Sequence, residues 1–419
     1  MKRLLLSSAF FLAACGGDDA PIIEAPTFDK AAMDTLLSGA VENGEVLGVS
    51  ALIFDEGQTV YTGTFGMADR ERGVPVAMDT VFRIYSMTKP ITAAVIMDLV
   101  EEGKLSLSDP ASKYIPELAD MSIAKLNPDG HFGFLPQAKP MTIEDLLLHR
   151  AGMGYGIFGP VNPVEALYEK AGLFNPTEDL SVKMTKLGKL PLLAQPGDGW
   201  YYSYSIDVLG RIAEVVTGQR LSEIMDERIF DPLGMNETAF SVRPDQKARF
   251  SSNYAMMEDG SFVVQDNSQE SQYLTDNAYQ SGGGGLVSTL GDYAKFAQML
   301  LDGGIYDGKR VLDEATVAMM MSDRMDADDA FMMPWLGGET GVSFGYGGSI
   351  VTDTTPELQA KNGRSVGQFG WGGMAKTKFW VDKPNDAFGI LMLQYFAAAD
   401  PALHDSFQAL ALEGTLDAE

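Results

Sequence analysis

The strand-like segments of this 419-residue chain lie near its two ends, and this distribution most constrains the fold. Residues 48–54 and 58–63 are rich in β-branched and apolar side chains and are separated by Asp55-Glu56-Gly57, which predicts an antiparallel hairpin. Further strands are predicted near the other end, at residues 344–351, 376–381 and 387–394. We therefore expect one sheet assembled from the N- and C-terminal segments.

The middle of the chain carries a helical signal. Between residues 109 and 276, short helical patterns alternate with loops rich in proline and glycine. Helices are predicted at residues 28–41, 92–102, 141–149, 207–218, 290–301 and 401–412. The predicted fold class is α/β, of the α+β type: a mainly antiparallel sheet flanked by helices, with an inserted, mostly helical subdomain. The expected boundaries are 28–108 and 277–419 for the sheet domain and 109–276 for the helical subdomain.

Composition narrows the classes of ligand. The chain has 58 acidic and 31 basic residues, and its formal net charge of −27 repels phosphate backbones, which excludes nucleic acid as a partner. Three histidines and one cysteine argue against a zinc site, and a single cysteine rules out internal disulfides. We expect a small-molecule substrate, with no metal and no cofactor.

The N-terminus has the features of an export signal. Two basic residues precede an uncharged apolar run at 4–14, which is too short to span a bilayer. The run ends in Leu-Ala-Ala before Cys15, which is similar to the bacterial lipobox, so we predict a signal peptide at 1–14 and lipidation of Cys15. Residues 15–27 then form a tether. Gly16 favours the outer membrane, facing the periplasm; the alternative is an ordinary signal peptide with an incidental cysteine.

Ser86-Met87-Thr88-Lys89 matches Ser-x-x-Lys, a nucleophilic serine with a lysine one helical turn behind it. The pattern also occurs at residues 122–125, so its context must separate the two. Pro90 is tolerated only in the first turn of a helix, which means that the helix running to residue 102 begins near Ser86. The first N–H groups of that helix have no intrahelical partner and can stabilise an oxyanion. Residues 122–125 precede a turn-rich loop instead.

Lys89 can accept the proton of Ser86 only in its neutral form. Burial beside an apolar helix lowers the pKa of a lysine, and a neutral amine can then act as a base. The alternative for this pair on its own is a helix-capping serine beside a solvated lysine.

A second element lies at residues 196–203, Pro-Gly-Asp-Gly-Trp-Tyr-Tyr-Ser, ahead of a predicted helix. Together with Ser86 and Lys89 it resembles the serine β-lactamase-like and penicillin-binding protein superfamily, above all class C β-lactamases and family VIII carboxylesterases. Further stretches in family order extend the resemblance over residues 30–395.

The resemblance implies roles for individual residues. Tyr202 matches the tyrosine that works with the lysine, here Lys89, in moving protons, and Tyr201 is the less favoured neighbour. The alternative for these two tyrosines is an aromatic pair in the core.

A third motif, Trp371-Gly372-Gly373, matches the strand edge that lines the nucleophile in this family, where many members have Lys-Thr-Gly. Glycines allow a backbone to approach a substrate closely. The resemblance implies that the N–H of Met374 completes an oxyanion hole with the N–H of Ser86.

Two departures from the family pattern favour esters over β-lactams. Tyr202-Ser203-Tyr204 replaces Tyr-x-Asn, so the amide that binds an acylamide side chain is missing. Trp371 replaces the lysine that attracts a carboxylate. Both losses leave an apolar slot that suits a neutral ester. The residues expected to contact the substrate are Trp371, Gly372, Gly373 and Tyr204.

A rival nucleophile is Ser343, which lies in a Gly-x-Ser-x-Gly match at 341–345 and is followed by Asp382 and His404. The α/β-hydrolase elbow needs a strand before the serine and a helix after it, whereas Ser343 opens a strand-like run. We therefore interpret it as a decoy. His149 follows an amphipathic helix and is expected to be a structural, hydrogen-bonded residue rather than a base.

Three functions are compatible with these motifs. We favour a carboxylesterase that cleaves short- to medium-chain acyl esters through an acyl-enzyme on Ser86, and we leave open promiscuous β-lactam cleavage. The second is a β-lactamase or a D-stereospecific cell-wall peptidase. The third is a non-hydrolytic penicillin-binding-type protein.

Overall fold

The computed structural model describes residues 28–127, 131–157, 163–326, 332–333, 337–338 and 341–416. The predicted signal peptide, Cys15 and the whole of the predicted tether lie outside the described residues. Within the described ranges, no helix is both long and apolar enough to cross a membrane.

The helices of the described chain are α1 (Lys30–Glu42), α2 (Thr88–Glu101), α3 (Ile143–Leu147), α4 (Glu165–Lys170), α5 (Leu180–Leu187), α6 (Ser205–Thr217), α7 (Leu221–Met225), α8 (Asp231–Leu233), α9 (Leu290–Leu301), α10 (Glu314–Met320), α11 (Pro356–Asn362) and α12 (Ala402–Leu416). The strands are β1 (Gly48–Asp55), β2 (Gln58–Asp69), β3 (Val74–Pro75), β4 (Phe82–Arg83), β5 (Ile123–Leu126), β6 (Phe132–Leu135), β7 (Asn253–Met256), β8 (Phe262–Asp266), β9 (Val287–Ser288), β10 (Ile305–Tyr306), β11 (Lys309–Arg310), β12 (Met332–Met333), β13 (Gly337–Gly338), β14 (Val342–Phe344), β15 (Ser349–Val351), β16 (Phe369–Gly372), β17 (Lys378–Asp382), β18 (Ala387–Met392) and β19 (Tyr395–Phe396).

The main sheet has the strand order β14-β15-β16-β17-β18-β1-β2-β3, and its neighbours pair antiparallel. The N-terminal strand β1 pairs with β18 from Ser50 opposite Met392 to Asp55 opposite Ala387. This pairing joins the N-terminal and C-terminal strands in one sheet. The predicted fold class is therefore confirmed.

Both faces of this sheet are covered, and β1 shows why its sequence is almost continuously apolar. Side chains alternate across a strand, so Leu52 and Phe54 pack in the core that contains α2 and α9, whereas Val49 and Ile53 pack in a second core with α1 and α12. The helix α2, which begins two residues after the candidate nucleophile, is buried in the first of these cores.

The predicted hairpin is confirmed, with β2 continuing beyond the expected end, and α9 coincides with the helix predicted at 290–301. The single strand predicted at 344–351 is wrong, because the chain reverses inside it to form antiparallel β14 and β15. Gly347 lies in this reversal with a φ of +85°, and a Cβ there would lie only 3.0 Å from the Lys89 carbonyl oxygen. The turn therefore packs tightly against the start of α2.

Residues 109–276 contribute no described strand to the main sheet, but they are not purely helical. Ser122 directly precedes the strand β5, which pairs with β6, and Ile123 packs onto the core. The strand β7 pairs with β8 and, in parallel, with β19 near the C-terminus. The β7–β19 pair joins segments far apart in sequence and leaves no local pattern; the short neighbouring pairs β5–β6 and β7–β8 were not predicted either.

Candidate active site

Ser86 lies in a 3-10 turn, Tyr85–Met87, that continues directly into α2. Pro90 occupies the first turn of α2, as the sequence predicted. Tyr85 has a φ of +41°, a region that side chains avoid, and it is held by ring contact with Phe396 at 5.6 Å and by a hydrogen bond from Asn253. Backbone strain of this kind persists only where surrounding contacts hold it in place. Here those contacts fix the turn that contains Ser86.

Lys89 is fully buried one turn behind Ser86. Its Nζ lies 3.2 Å from Ser86 Oγ, 3.2 Å from the Tyr155 hydroxyl and 2.6 Å from the Gly283 carbonyl oxygen. Three acceptors match the three N–H bonds of an ammonium group and replace the water lost on burial. The Nζ also lies 4.6 Å from the centroid of the Tyr202 ring. The alternative of a solvated lysine is therefore excluded.

Tyr202 lines the same cavity as Ser86, and its hydroxyl accepts a hydrogen bond from the Trp371 indole at 3.4 Å. Its ring, rather than its hydroxyl, forms the described contact with Lys89. The role predicted for Tyr202 in proton transfer therefore stays a prediction, and a second tyrosine competes for it.

Tyr155 is the residue that the sequence analysis missed. Its hydroxyl reaches Lys89, and the Glu165 carboxylate fixes its loop by accepting the N–H groups of Tyr155 at 3.0 Å and Gly156 at 2.6 Å. Burial and then the charge of Asp207 raise the pKa of Tyr155 well above its ordinary value, so its hydroxyl stays protonated and can donate. The one signal in the sequence was its setting, Gly-Met-Gly-Tyr-Gly, immediately after a predicted helix.

Ser86 opens onto a cavity of about 540 Å³. The predicted Trp371, Gly372, Gly373 and Met374 all line it, together with Tyr202. Further apolar side chains in the lining are Ile157, Val342, Val351, Phe396 and Ala397. The wall around the serine is thus mostly apolar and aromatic, which is the usual character of a small-molecule site.

Gly373 allows the end of β16 to approach the nucleophile turn. A Cβ on Gly373 would lie 2.4 Å from the Ile84 carbonyl oxygen and 2.2 Å from Thr377 Oγ1, so no other residue fits without displacement. Its own N–H donates to the Thr377 carbonyl at 2.7 Å and closes the turn between β16 and β17. This packing brings the backbone that precedes Met374 against the residues that precede Ser86. The oxyanion hole formed by their N–H groups stays a prediction.

Tyr204 does not belong to the substrate site. Its side chain is fully buried outside the cavity lining, because α6 begins at this residue and turns the ring inward. Its hydroxyl lies 3.1 Å from the Leu173 carbonyl and 2.6 Å from the Tyr279 hydroxyl. The prediction that Tyr204 contacts the substrate is therefore wrong. Tyr201 also lies outside the lining, and its N–H donates to the His149 carbonyl at 2.8 Å.

His149 is buried against the Tyr202 ring, with the ring centroids 4.8 Å apart. Its Nδ1 accepts the N–H of Ser203 at 3.2 Å, which leaves the proton on Nε2 in the neutral ring. Burial and then the charge of Lys89 lower the pKa of His149 well below its ordinary value. A buried ring with a lowered pKa, hydrogen-bonded through Nδ1, agrees with the structural role expected for it.

The rival constellation is not assembled. Ser343 lies on β14 and donates to Asp323 at 2.5 Å. Asp382 accepts from Ser365, and His404 Nε2 lies 2.9 Å from the Lys376 carbonyl, to which it donates. In the described contacts, Ser343, Asp382 and His404 are therefore hydrogen-bonded to other residues and not to one another. No group of three or more His, Cys, Asp or Glu side chains within the described ranges is arranged to hold a metal ion.

Comparisons with known proteins extend this description. The profile of the Beta-lactamase family matches residues 33–413. An uncharacterised protein of Mycobacterium tuberculosis is 35% identical over 366 residues, 86% of each chain. Esterase EstB of Burkholderia gladioli is 30% identical over 390 residues, 87% of this chain and 89% of its own. Among solved structures, EstCE1, a hydrolase with promiscuous acyltransferase activity, matches with a TM-score of 0.72 and 25% identity, over 90% of this chain and 97% of its own.

Proposed function

The chain belongs to the β-lactamase family of serine hydrolases, and we propose that it is a carboxylesterase that forms an acyl-enzyme on Ser86. The observation that carries the proposal is the position of the Lys89 amine, 3.2 Å from Ser86 Oγ and 3.2 Å from the Tyr155 hydroxyl, beside an apolar cavity. A serine within hydrogen-bond reach of a buried base is the arrangement that nucleophilic catalysis requires.

In the acylation step, Ser86 Oγ attacks the ester carbonyl carbon while its proton passes to the neutral Lys89 amine. The negative charge that develops on the carbonyl oxygen is stabilised by the N–H groups of Ser86 and Met374. As the tetrahedral intermediate collapses, the C–O bond to the alcohol breaks, and a tyrosine hydroxyl relays the proton from Lys89 to the departing alkoxide.

Deacylation repeats these steps with water as the nucleophile. Water gives its proton to Lys89 and attacks the acyl carbon, after which Ser86 Oγ leaves and takes the proton back. The products are a carboxylic acid and the free enzyme. The Tyr155 hydroxyl lies within hydrogen-bond reach of the amine, whereas the described contact of Tyr202 with the amine is made by its ring.

The aromatic wall favours a neutral acyl group. Trp371 packs its ring 5.7 Å from Tyr202 and 5.2 Å from Phe344, where a lysine would attract the carboxylate of a β-lactam. The lining also contains three cations, Arg364, Lys376 and Lys378, of which Lys376 is paired with Asp400 at 2.9 Å. An ester also releases an alkoxide, a better leaving group than an amine, so we expect esters to be turned over faster than β-lactams or peptides.

The test compares three substrates on one preparation: a short-chain nitrophenyl ester, a chromogenic cephalosporin and a D-Ala-D-Ala peptide. We expect ester turnover to dominate and to be abolished in Ser86→Ala. Dominant cephalosporin or peptide turnover would instead indicate a β-lactamase or a cell-wall peptidase. Stable acylation by a labelled β-lactam without turnover of any substrate would indicate a non-hydrolytic penicillin-binding-type protein.

Acyl transfer to an alcohol is a second candidate. EstCE1 is described as a hydrolase with promiscuous acyltransferase activity, and the apolar lining near Ser86 suits an alcohol that competes with water for the acyl-enzyme. Adding a medium-chain alcohol to the ester assay should then yield the transesterified product. Unchanged acid formation at every alcohol concentration would reject this candidate.

The location in the cell is part of the proposal. The apolar run that ends at Cys15 supports export, lipidation and retention at the periplasmic face of the outer membrane. Labelled palmitate should be incorporated into the full chain and not into Cys15→Ala. Equal incorporation by the two proteins would refute lipidation at this residue.

A further inference from the structure

We infer that Asp207, on α6, is a positioning residue whose buried charge holds the Gly283 backbone against Lys89 and sets the pH range in which Ser86 is activated. This inference rests on the proposed function, and it goes beyond it by assigning a regulatory role to a residue outside the cavity lining. A chain of contacts connects the carboxylate of Asp207 to the amine of Lys89 through Gly283.

Asp207 is fully buried behind the site. Its Oδ1 accepts hydrogen bonds from Ser281 Oγ at 2.6 Å and from the Tyr279 hydroxyl at 2.9 Å. Its Oδ2 has no hydrogen-bond partner of normal geometry among the described residues and lies against Gly283, where a Cβ would lie only 2.5 Å away. One carboxylate oxygen is therefore satisfied, and the other is directed at the Gly283 backbone.

Gly283 connects this oxygen to the catalytic lysine. Its carbonyl oxygen accepts the Lys89 amine at 2.6 Å, the shortest of the three described contacts of that amine. A side chain at Gly283 would collide with Asp207, so this close approach of the carboxylate to the backbone requires glycine. A shift of Asp207 would consequently move the Gly283 carbonyl and the amine that it holds.

The charges of Asp207 and Lys89 also stabilise each other. A buried carboxylate with an unsatisfied oxygen is costly unless a cation lies nearby. Burial raises the pKa of Asp207, and the Ser281 hydrogen bond and then the charge of Lys89 act in the opposite direction. Asp207→Asn would therefore remove an electrostatic interaction with the Lys89 amine as well as the carboxylate that lies against Gly283.

Other titratable groups surround the pair from several elements. They are His149 and Tyr155 in the loop after α3, Lys183 on α5, Tyr202 and Tyr204 before α6, and Tyr279 in the loop before β9. Burial raises the pKa of Tyr155, Tyr204 and Tyr279 well above the ordinary value, and burial lowers the pKa of His149, so these four are neutral near pH 7. Lys183 lies further out, with its Nζ 4.0 Å from the centroid of the Tyr279 ring. The Glu165 carboxylate binds the backbone of the Tyr155 loop, and Asp207 is the carboxylate on which the charge of Lys89 acts.

The test is Asp207→Asn, which removes the charge and keeps the shape. The amide can present its oxygen to Gly283 and donate its N–H groups to Ser281 and Tyr279, whose hydroxyl oxygens can accept. We expect the acid limb of the kcat/KM profile for a nitrophenyl ester to move to lower pH by about one unit. A fluorophosphonate probe that labels Ser86 should show the same shift without requiring turnover.

Asp69→Asn is the matched control. Asp69 is equally buried and accepts hydroxyls from Ser252 at 2.9 Å and Ser268 at 2.6 Å, but it lies outside the cavity lining. Its variant should leave the acid limb in place. If Asp207→Asn does not fold, Ser281→Ala serves instead, because loss of its hydrogen bond raises the pKa of Asp207 and should shift the limb in the same direction, by less.

The outcomes separate this inference from the proposed function. If the wild-type protein cleaves no ester, the proposed function fails, and the pH profile of Ser86 labelling still decides the role of Asp207. A lower rate with an unmoved acid limb in both assays, or a limb moved to higher pH, would reduce Asp207 to a packing residue and overturn the inference.

Discussion

Gly373→Ala is the substitution whose effect can be worked out most directly from the structure. The new Cβ would lie 2.4 Å from the Ile84 carbonyl oxygen, about 1 Å closer than ordinary van der Waals contact. The Thr377 hydroxyl, at 2.2 Å, can rotate away, but a backbone carbonyl two residues before Ser86 cannot. The turn that carries Met374 must therefore retreat from the serine by about 1 Å. Misplacement on this scale costs on the order of 100-fold, so kcat/KM should fall by that factor, or about 2.7 kcal/mol.

Gly372→Ala is the matched control for this prediction. A Cβ at Gly372 would meet only the Thr377 carbonyl oxygen, at 3.3 Å, and should be accommodated with a loss of a few-fold at most. Ester hydrolysis and thermal unfolding are measured for both variants. Equal losses in the two, or a Gly373→Ala enzyme within a few-fold of wild type, would show that the approach of this turn does not serve catalysis.

Three further predictions concern single side chains. Tyr155→Phe and Tyr202→Phe test which tyrosine relays the proton. Because the Tyr155 hydroxyl contacts Lys89, we expect the larger loss of kcat, about 100-fold, in Tyr155→Phe. A larger loss in Tyr202→Phe would instead assign the relay to Tyr202. Ser343→Ala should retain most ester hydrolysis, because this serine is hydrogen-bonded to Asp323. Loss of activity would indicate that Ser343 is the nucleophile. Burial lowers the pKa of Lys183 to about 8, so between pH 8 and the ordinary value of 10.5 the unfolded chain binds more protons and stability rises with pH. The free energy of unfolding of Lys183→Met, measured in urea, should lack this increase between pH 8 and 10.5. An identical pH dependence in both proteins would contradict the lowered pKa of Lys183.

The nucleophile could be located from the sequence because a local constraint decided it. Pro90 restricts where its helix begins, and this restriction acts within a few residues of Ser86. The hairpin of β1 and β2 was likewise encoded locally, by two alternating runs and the turn between them. The start of α2 and the β1–β2 hairpin were therefore predicted from neighbouring residues alone.

Tyr155, Asp207 and the β7–β19 pair depend on contacts that no local pattern records. Tyr155 reaches Lys89 from 66 positions away, and Tyr254 pairs with Tyr395 from the far end of the chain. Tyr155 lies in a glycine-rich loop without periodicity, and Asp207 resembles any acidic residue in the first turn of a helix. The contacts of Tyr155 and Asp207 with the site form only when the tertiary structure brings α2, α6 and the Gly283 loop together.

Tyr204 illustrates the opposite error. Its place two residues after Tyr202 suggested a substrate contact, because the family pattern has a binding residue there. The start of α6 directs the Tyr204 ring into the core instead, where its hydroxyl meets Tyr279. Motif spacing alone did not determine which way the side chain faces.

The most direct test of the account is to trap the acyl-enzyme. The protein is mixed with p-nitrophenyl butyrate, quenched in acid during turnover, and analysed by intact and peptide mass spectrometry. We predict a mass increase of one butyryl group on the peptide that contains Ser86, and no such increase in Ser86→Ala. A butyryl group on another residue, or rapid ester cleavage by Ser86→Ala, would contradict the assignment of Ser86 as the nucleophile.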